Sequence, residues 1–207
     1  MQKRLLFLGL LTGSLATAHA QESRLGFKAG ASLTTFVGSD VTNSSSSKLG
    51  FHGGLVASLG ITNRFSIQPE LLYSMKGTQD QTTRGGTTVT GYQTLYYVDV
   101  PIMLKAKFNR LFVEAGPQMG VLAAAQVTTE DGSNSINVSN KNAFKDLDFG
   151  YAVGLGFQTE NDLMVGFRYN GGLADVPKAG TLRGQTVQPQ ARNSAFQLYL
   201  GILLKSE

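Results

Sequence analysis

The stretch Tyr96–Gln126, YYVDVPIMLKAKFNRLFVEAGPQMGVLAAAQ, decides the fold. Taken two residues at a time, its first half places Tyr96, Val98, Val100, Ile102, Leu104, Ala106 and Phe108 on one face, all apolar. The other face carries Tyr97, Asp99, Pro101, Met103, Lys105 and Lys107. After Asn109-Arg110 the alternation resumes. Leu111, Val113, Ala115, Pro117, Met119, Val121, Ala123 and Ala125 form an apolar face, and Phe112 to Gln126 at even positions form a mixed one. A period of two belongs to strands, whose successive side chains point to opposite sides. Two such runs joined by a two-residue polar turn predict a long antiparallel hairpin. Soluble strands usually stop at about five or six residues, whereas a strand that crosses a bilayer needs about 9–11.

The same pattern extends outward in both directions. Upstream, strands are predicted over Leu25–Thr35, Leu49–Ile61 and Phe65–Lys76; downstream, over Leu147–Gln158, Leu163–Asn170 and Asn193–Leu204. With the central hairpin that makes eight. The connections alternate in length. Thr62-Asn63-Arg64, Asn109-Arg110 and Glu160-Asn161-Asp162 are tight, whereas 38–48, 77–91, 127–146 and 171–192 are long and polar. An eight-stranded antiparallel up-and-down transmembrane β-barrel, with short periplasmic turns and long extracellular loops, predicts this asymmetry. Pro69, Pro101 and Pro117 fall inside predicted strands, and proline in a sheet usually marks a bulge or an edge. Bulges are expected at these three positions.

A soluble lipocalin-like barrel shares the alternation but buries the apolar face. Three features favour the inverted, membrane arrangement. The non-apolar face is rich in Gly, Ala, Ser and Gln, as a narrow lumen filled by side chains requires. Aromatics on the apolar face gather near the strand ends, as membrane-interface girdles do. Phe27, Phe65, Phe108 and Phe157 lie towards the short turns; Phe51, Tyr73, Tyr96, Phe149, Tyr169 and Phe196 lie towards the long loops. Loop lengths alternate as described. The lumen then holds Lys28, Lys76, Lys105, Lys107, Arg168 and His52 against Glu70, Asp99, Glu114 and Asp148. Buried charges must pair or suffer a large desolvation cost. An interlocked polar network that plugs the bore is therefore expected, with a narrow solute path as the alternative.

Composition is consistent with export. Residues 1–20, MQKRLLFLGLLTGSLATAHA, combine Lys3-Arg4, an apolar run from Leu5 and Ala18-His19-Ala20, a small-x-small cleavage site. Residues 1–20 are expected to be a cleaved signal peptide and 21–207 the barrel domain. The chain has 18 Lys+Arg, two of them in that leader, against 14 Asp+Glu, so its charge argues for no nucleic-acid partner. Cysteine is absent, which removes disulfides and thiolate metal sites. No apolar run is long enough for a spanning helix, and only helices and closed barrels cross a bilayer.

Catalytic chemistry finds no foothold. His52 is the only histidine after residue 20. A lone His is more often a structural hydrogen-bonding group than a base. No nucleophile, base and orienter can be picked out, and no ligand spacing for a metal exists. Asp146, Asp148 and the nearby Asn residues read as turn formers. No catalytic residue, cofactor or metal is assigned, and the chain is not expected to be an enzyme.

Seven segments in order carry a family resemblance: GFKAGAS (26–32), QPELLYSMKG (68–77), YVDVPIMLKAKF (97–108), FVEAGPQMGVL (112–122), DFGYAVGLGFQ (148–158), VGFRYNGGLADV (165–176) and FQLYLGILL (196–204). With these the chain resembles the PorT-like outer-membrane β-barrels of Gram-negative bacteria, often called porin-family proteins. The resemblance implies an outer-membrane location with both termini periplasmic. It also implies contact with outer-membrane lipid and lipopolysaccharide, and passage through the barrel-assembly machinery. Many outer-membrane barrels end on an aromatic; here the sequence closes Leu204-Lys205-Ser206-Glu207. Three roles follow as expectations. The first is a structural or interaction barrel of the cell envelope. The second is an accessory of an envelope protein-secretion system with a protein partner there. The third is a narrow solute channel.

Overall fold

The computed structural model describes residues 23–41, 45–84, 87–131, 134–182, 185–187 and 189–204; the expected leader lies outside them. Its strands are β1 (Ser23–Val37), β2 (Ser45–Gly60), β3 (Phe65–Arg84), β4 (Thr87–Phe108) and β5 (Leu111–Asp131). They continue with β6 (Asn134–Ser139), β7 (Leu147–Gln158), β8 (Leu163–Gly172), β9 (Gly180–Leu182), β10 (Gln185–Val187) and β11 (Arg192–Leu204). Eight of these close a ring in the order β1-β2-β3-β4-β5-β7-β8-β11, and β11 pairs back onto β1 from Leu25↔Leu204 to Val37↔Arg192. Every pairing in the ring is antiparallel and joins chain neighbours within it, the up-and-down topology. Closure leaves the ring no unpaired edge.

The apolar faces point outward. Leu25 is 70% exposed and Leu200 63%, whereas Lys28, between them in the β1–β11 register, is 3% exposed. In water such a surface would aggregate; in hydrocarbon it is the solvated face. The three short turns and both described chain ends lie at one end of the ring. Asn109 and Asp162 hold two of these turns with φ of 57° and 60°, in the left-handed region where Asn and Asp are tolerated better than most residues.

Two of the long outer connections are themselves β structure. β3 and β4 remain paired from Lys76↔Leu95 out to Arg84↔Thr87, and β5 continues into a hairpin with β6. In the sequence, residues 77–91 and 127–146 read as loops, because no sustained apolar alternation marks them. With 22 residues, β4 rises about 55 Å at roughly 3.3 Å per residue and a tilt of ~40°, about twice the ~25 Å apolar band of such barrels. Its outer part therefore stands clear of the membrane.

The prolines do not sit in bulges. Pairing keeps one register across Pro69↔Ile102, Pro101↔Gln118 and Pro117↔Tyr151. Instead each proline interrupts the ladder to the preceding strand, where its missing N–H would have donated. β2–β3 pairing skips Pro69, β3–β4 skips Pro101 and β4–β5 skips Pro117, in each case without a shift. The register shifts lie elsewhere, between Ser47 and His52 and at Tyr96/Tyr97 opposite Leu122 and Ala124. The second inserts one residue into β5 and reverses its phase. Ala125, expected on the outer face, is consequently buried at 1% exposure.

Candidate functional site

The interior of the ring is the only place where charged side chains converge among the described residues, and it is built in four layers. At the middle, Glu70 on β3 accepts from Lys28 Nζ at 2.6 Å and from Arg168 Nη1 and Nη2 at 2.8 and 2.9 Å. The guanidinium also donates through Nε to Glu114 Oε1 at 2.8 Å. Tyr199 donates its hydroxyl to the same oxygen at 3.0 Å, and the Lys28 ammonium lies 4.0 Å from the Tyr199 ring centroid. Two cations meet two anions, so the layer is neutral. The side chains of the Lys28, Arg168, Glu70 and Glu114 ion pairs are no more than 1% exposed. Arg168 serves two carboxylates at once because its planar fork presents donors in several directions.

Room for this layer comes from glycine on facing strands. A Cβ at Gly154 would lie 3.0 Å from Glu114 Oε1, and one at Gly166 only 2.4 Å from the Tyr199 ring. The small residues of the lumen face thus sit where a neighbouring long side chain crosses the bore. His52 belongs to the same level. Its Nδ1 is 2.9 Å from Ser32 Oγ, and Gln197 donates to that oxygen at 3.4 Å. The pair is sealed, with His52 2% exposed, and His52 Nε2 has no hydrogen-bond partner among the described residues. Among the described residues no carboxylate orients the ring, and a hydrolytic triad needs such a third member.

Towards the outer mouth, Lys76 Nζ donates to Asp99 Oδ1 at 3.0 Å and to Asp148 Oδ2 at 3.4 Å. Asn193 completes Asp148 Oδ2 at 2.9 Å, and the ammonium lies 4.7 Å from the Tyr97 ring centroid. Above it an apolar lid closes the ring: Phe36, Leu95, Tyr97, Leu122, Ala125, Phe144, Val176 and Ala191, each at most 7% exposed. Phe144, Val176 and Ala191 come from the outer connections and are tied down by main-chain bonds from Lys145 to Val176 and from Val176 to Ala191, both 2.8 Å.

Towards the short turns, Lys105 Nζ donates to Gln158 Oε1 at 2.9 Å and approaches Met164 Sδ at 3.1 Å. Here the bore widens into a vestibule of about 450 Å³.

Nine of the ten expected lumen residues are thus buried inside the ring. Lys107 is not; it is half-buried at the rim of the vestibule, because β4 ends one residue later and nothing roofs it. Sequence reasoning missed Tyr97, Tyr199, Asn193 and the lid. Tyr97 and Tyr199 lie on the face read as polar, and the lid residues of the loops carry no periodic signal. Outside, the expected aromatics face away from the lumen and touch in part: Phe51–Tyr73 centroids are 6.3 Å apart, Tyr73–Tyr96 5.9 Å and Tyr169–Phe196 5.0 Å. Tyr151 and Phe167 extend the last cluster. Among the described residues, no group of three or more metal-ligating side chains comes together.

A closed eight-stranded ring with an apolar exterior and a charged, filled interior defines an outer-membrane β-barrel. The chain belongs to the outer membrane protein beta-barrel domain family, whose pattern it matches over residues 19–177. Solved structures of the same kind include Ail, the attachment invasion locus protein of Yersinia pestis, solved in complex with the heparin analogue sucrose octasulfate. It is 12% identical, with 88% of this chain and 99% of that one covered and a TM-score of 0.48. Neisserial surface protein A is 15% identical, with coverages of 90% and 100% and a TM-score of 0.43. OprG of Pseudomonas aeruginosa is 8% identical, with coverages of 91% and 99% and a TM-score of 0.41. No curated protein sequence matches the chain.

Proposed function

We propose that this protein is a closed, structural or interaction barrel of the outer membrane, whose working surface is its outer β extension and loops. The carrying observation is the filled bore. A neutral layer of two cations and two carboxylates, a second charged layer and an apolar lid succeed one another along the axis, with residues each between 0% and 7% exposed. The nine buried lumen groups then serve as a plug, and the outward aromatics as anchors at the two membrane interfaces. Export through the leader at residues 1–20, assembly by the barrel-insertion machinery and contact with lipopolysaccharide belong to the same reading.

The test is a planar-bilayer recording beside a pull-down. The purified barrel should show no steady single-channel conductance, and loop-tagged protein from gently solubilised outer membranes should recover a partner that is lost when residues 77–91 are replaced by a short turn. Steady conductance by the wild-type protein would replace this reading with the channel. Recovery of a stoichiometric envelope-secretion component would move it to the PorT-like accessory role that the sequence motifs suggest.

A further inference from the structure

The vestibule at the short-turn mouth is chemically unlike the rest of the lumen. In the two charged layers above it every cation meets a carboxylate; here most do not. Among the described residues Arg24, Arg64, Lys105 and Lys107 line it against a single carboxylate, Asp162. Both oxygens of that carboxylate are already engaged, Oδ1 by Gln158 Nε2 at 2.8 Å and Oδ2 by Arg24. Lys105, 2% exposed, therefore rests on neutral partners: Gln158, Met164 and the face of Phe112, whose centroid lies 3.8 Å away. Among the described residues no carboxylate is in ion-pair range of Lys105, Lys107 or Arg64. A buried ammonium without a counter-charge is costly. The rim is nevertheless held in shape: Lys107 N donates to Arg64 O at 2.8 Å, which fixes the β2–β3 turn beside the end of β4.

We propose that this vestibule binds a small soluble phosphate oxyanion, with Lys105 at its floor and Lys107 and Arg64 at its rim. Three cations converging on one cavity, two from β4 and one from the β2–β3 turn, match a multiply charged tetrahedral group better than a carboxylate, which a single arginine satisfies bidentately. At about 450 Å³ the space accommodates a pyrophosphate or a small phosphomonoester. It opens between the turns at the end of the bore and not through the apolar wall, so the ligand comes from the periplasmic solution and not from a lipid headgroup. The site goes beyond the envelope role proposed above, and neither depends on the other.

The test is calorimetric titration of the full-length barrel in detergent with inorganic pyrophosphate, at about 0.15 M salt, where free surface charges are screened. Saturable binding is expected. Lys105→Met should weaken it at least tenfold while retaining the heat-dependent gel shift of a folded barrel, because the change removes an uncompensated buried charge. Lys107→Gln and Arg64→Gln should each weaken it several-fold, and Lys48→Gln at the opposite end should leave it unchanged. Absence of saturable binding, or equal binding by wild type and folded Lys105→Met, overturns the proposal. A response to phosphatidate vesicles with none to pyrophosphate overturns it as well.

Discussion

Glu70 is the residue on which the plug turns, and Glu70→Gln tests it. The carboxylate accepts three charge-assisted hydrogen bonds, one from Lys28 at 2.6 Å and two from Arg168 at 2.8 and 2.9 Å. Such bonds contribute about 1.5–3 kcal/mol each. Glutamine keeps one acceptor oxygen but turns an amide donor towards a cation. It also leaves Lys28 and Arg168 facing Glu114 alone, so a neutral layer becomes singly positive in a dry interior. Breaking a buried pair in this way costs about 3–5 kcal/mol, and that is the expected loss. The assay is urea unfolding in phospholipid vesicles, followed by the folded fraction on unboiled gels, since the chain has no Trp for fluorescence. Lys28→Met/Glu70→Gln restores neutrality around the remaining Arg168–Glu114 pair and should be more stable than Glu70→Gln alone. A single-variant loss under about 0.5 kcal/mol, or additive losses in the double variant, would refute a coupled ionic plug.

Other substitutions separate the two faces of the wall. Val100→Arg places a charge on the outward face of β4 and should reduce membrane insertion by about 2–4 kcal/mol; wild-type yield in the outer-membrane fraction would contradict the inside-out arrangement. Asp99→Asn should cost less, because Lys76 keeps Asp148 at 3.4 Å, and vesicle unfolding of the two variants side by side reads the difference. Gly166→Val drives a side chain into the Tyr199 ring, which lies 2.4 Å from the position of a Cβ. Overpacking of about 1–3 kcal/mol or more is expected, visible as a lower temperature for the gel-shift transition.

Much of the architecture was legible because a membrane strand advertises itself twice. Alternation marks each strand, and its phase marks the lumen. The β7 boundaries, Leu147–Gln158, coincide with the expected strand, because one face meets lipid and the other the bore along its whole length. Where that contrast vanishes, so does the signal. The outer halves of β3, β4 and β5 carry no sustained apolar alternation, and their strand character comes from cross-strand pairing. The bulge opposite Tyr96/Tyr97 is invisible for a related reason. An inserted residue among Leu122, Ala123, Ala124 and Ala125 leaves composition unchanged while it turns the following side chains over.

For the lumen, alternation picked out eight charged groups that are buried there, but it passed over Asp162 and could not show that Lys105 meets no carboxylate. Which cation meets which anion was beyond it. Arg168 reaches Glu70, 98 positions away, and that partnership depends on ring closure and the stagger of strands distant in the chain. The same holds for the imbalance at the short-turn mouth. Lys105 and Asp162 are both present in the linear chain, yet only the folded ring shows that Gln158 and Arg24 occupy Asp162 and that Lys105 is left without a carboxylate. One-dimensional alternation determined the wall, and the small lumen-face residues, the aromatic placement and the loop lengths its orientation, because these follow from local geometry and solvent; the contents of the bore were decided by tertiary closure, because its contacts join residues that only the ring brings within reach.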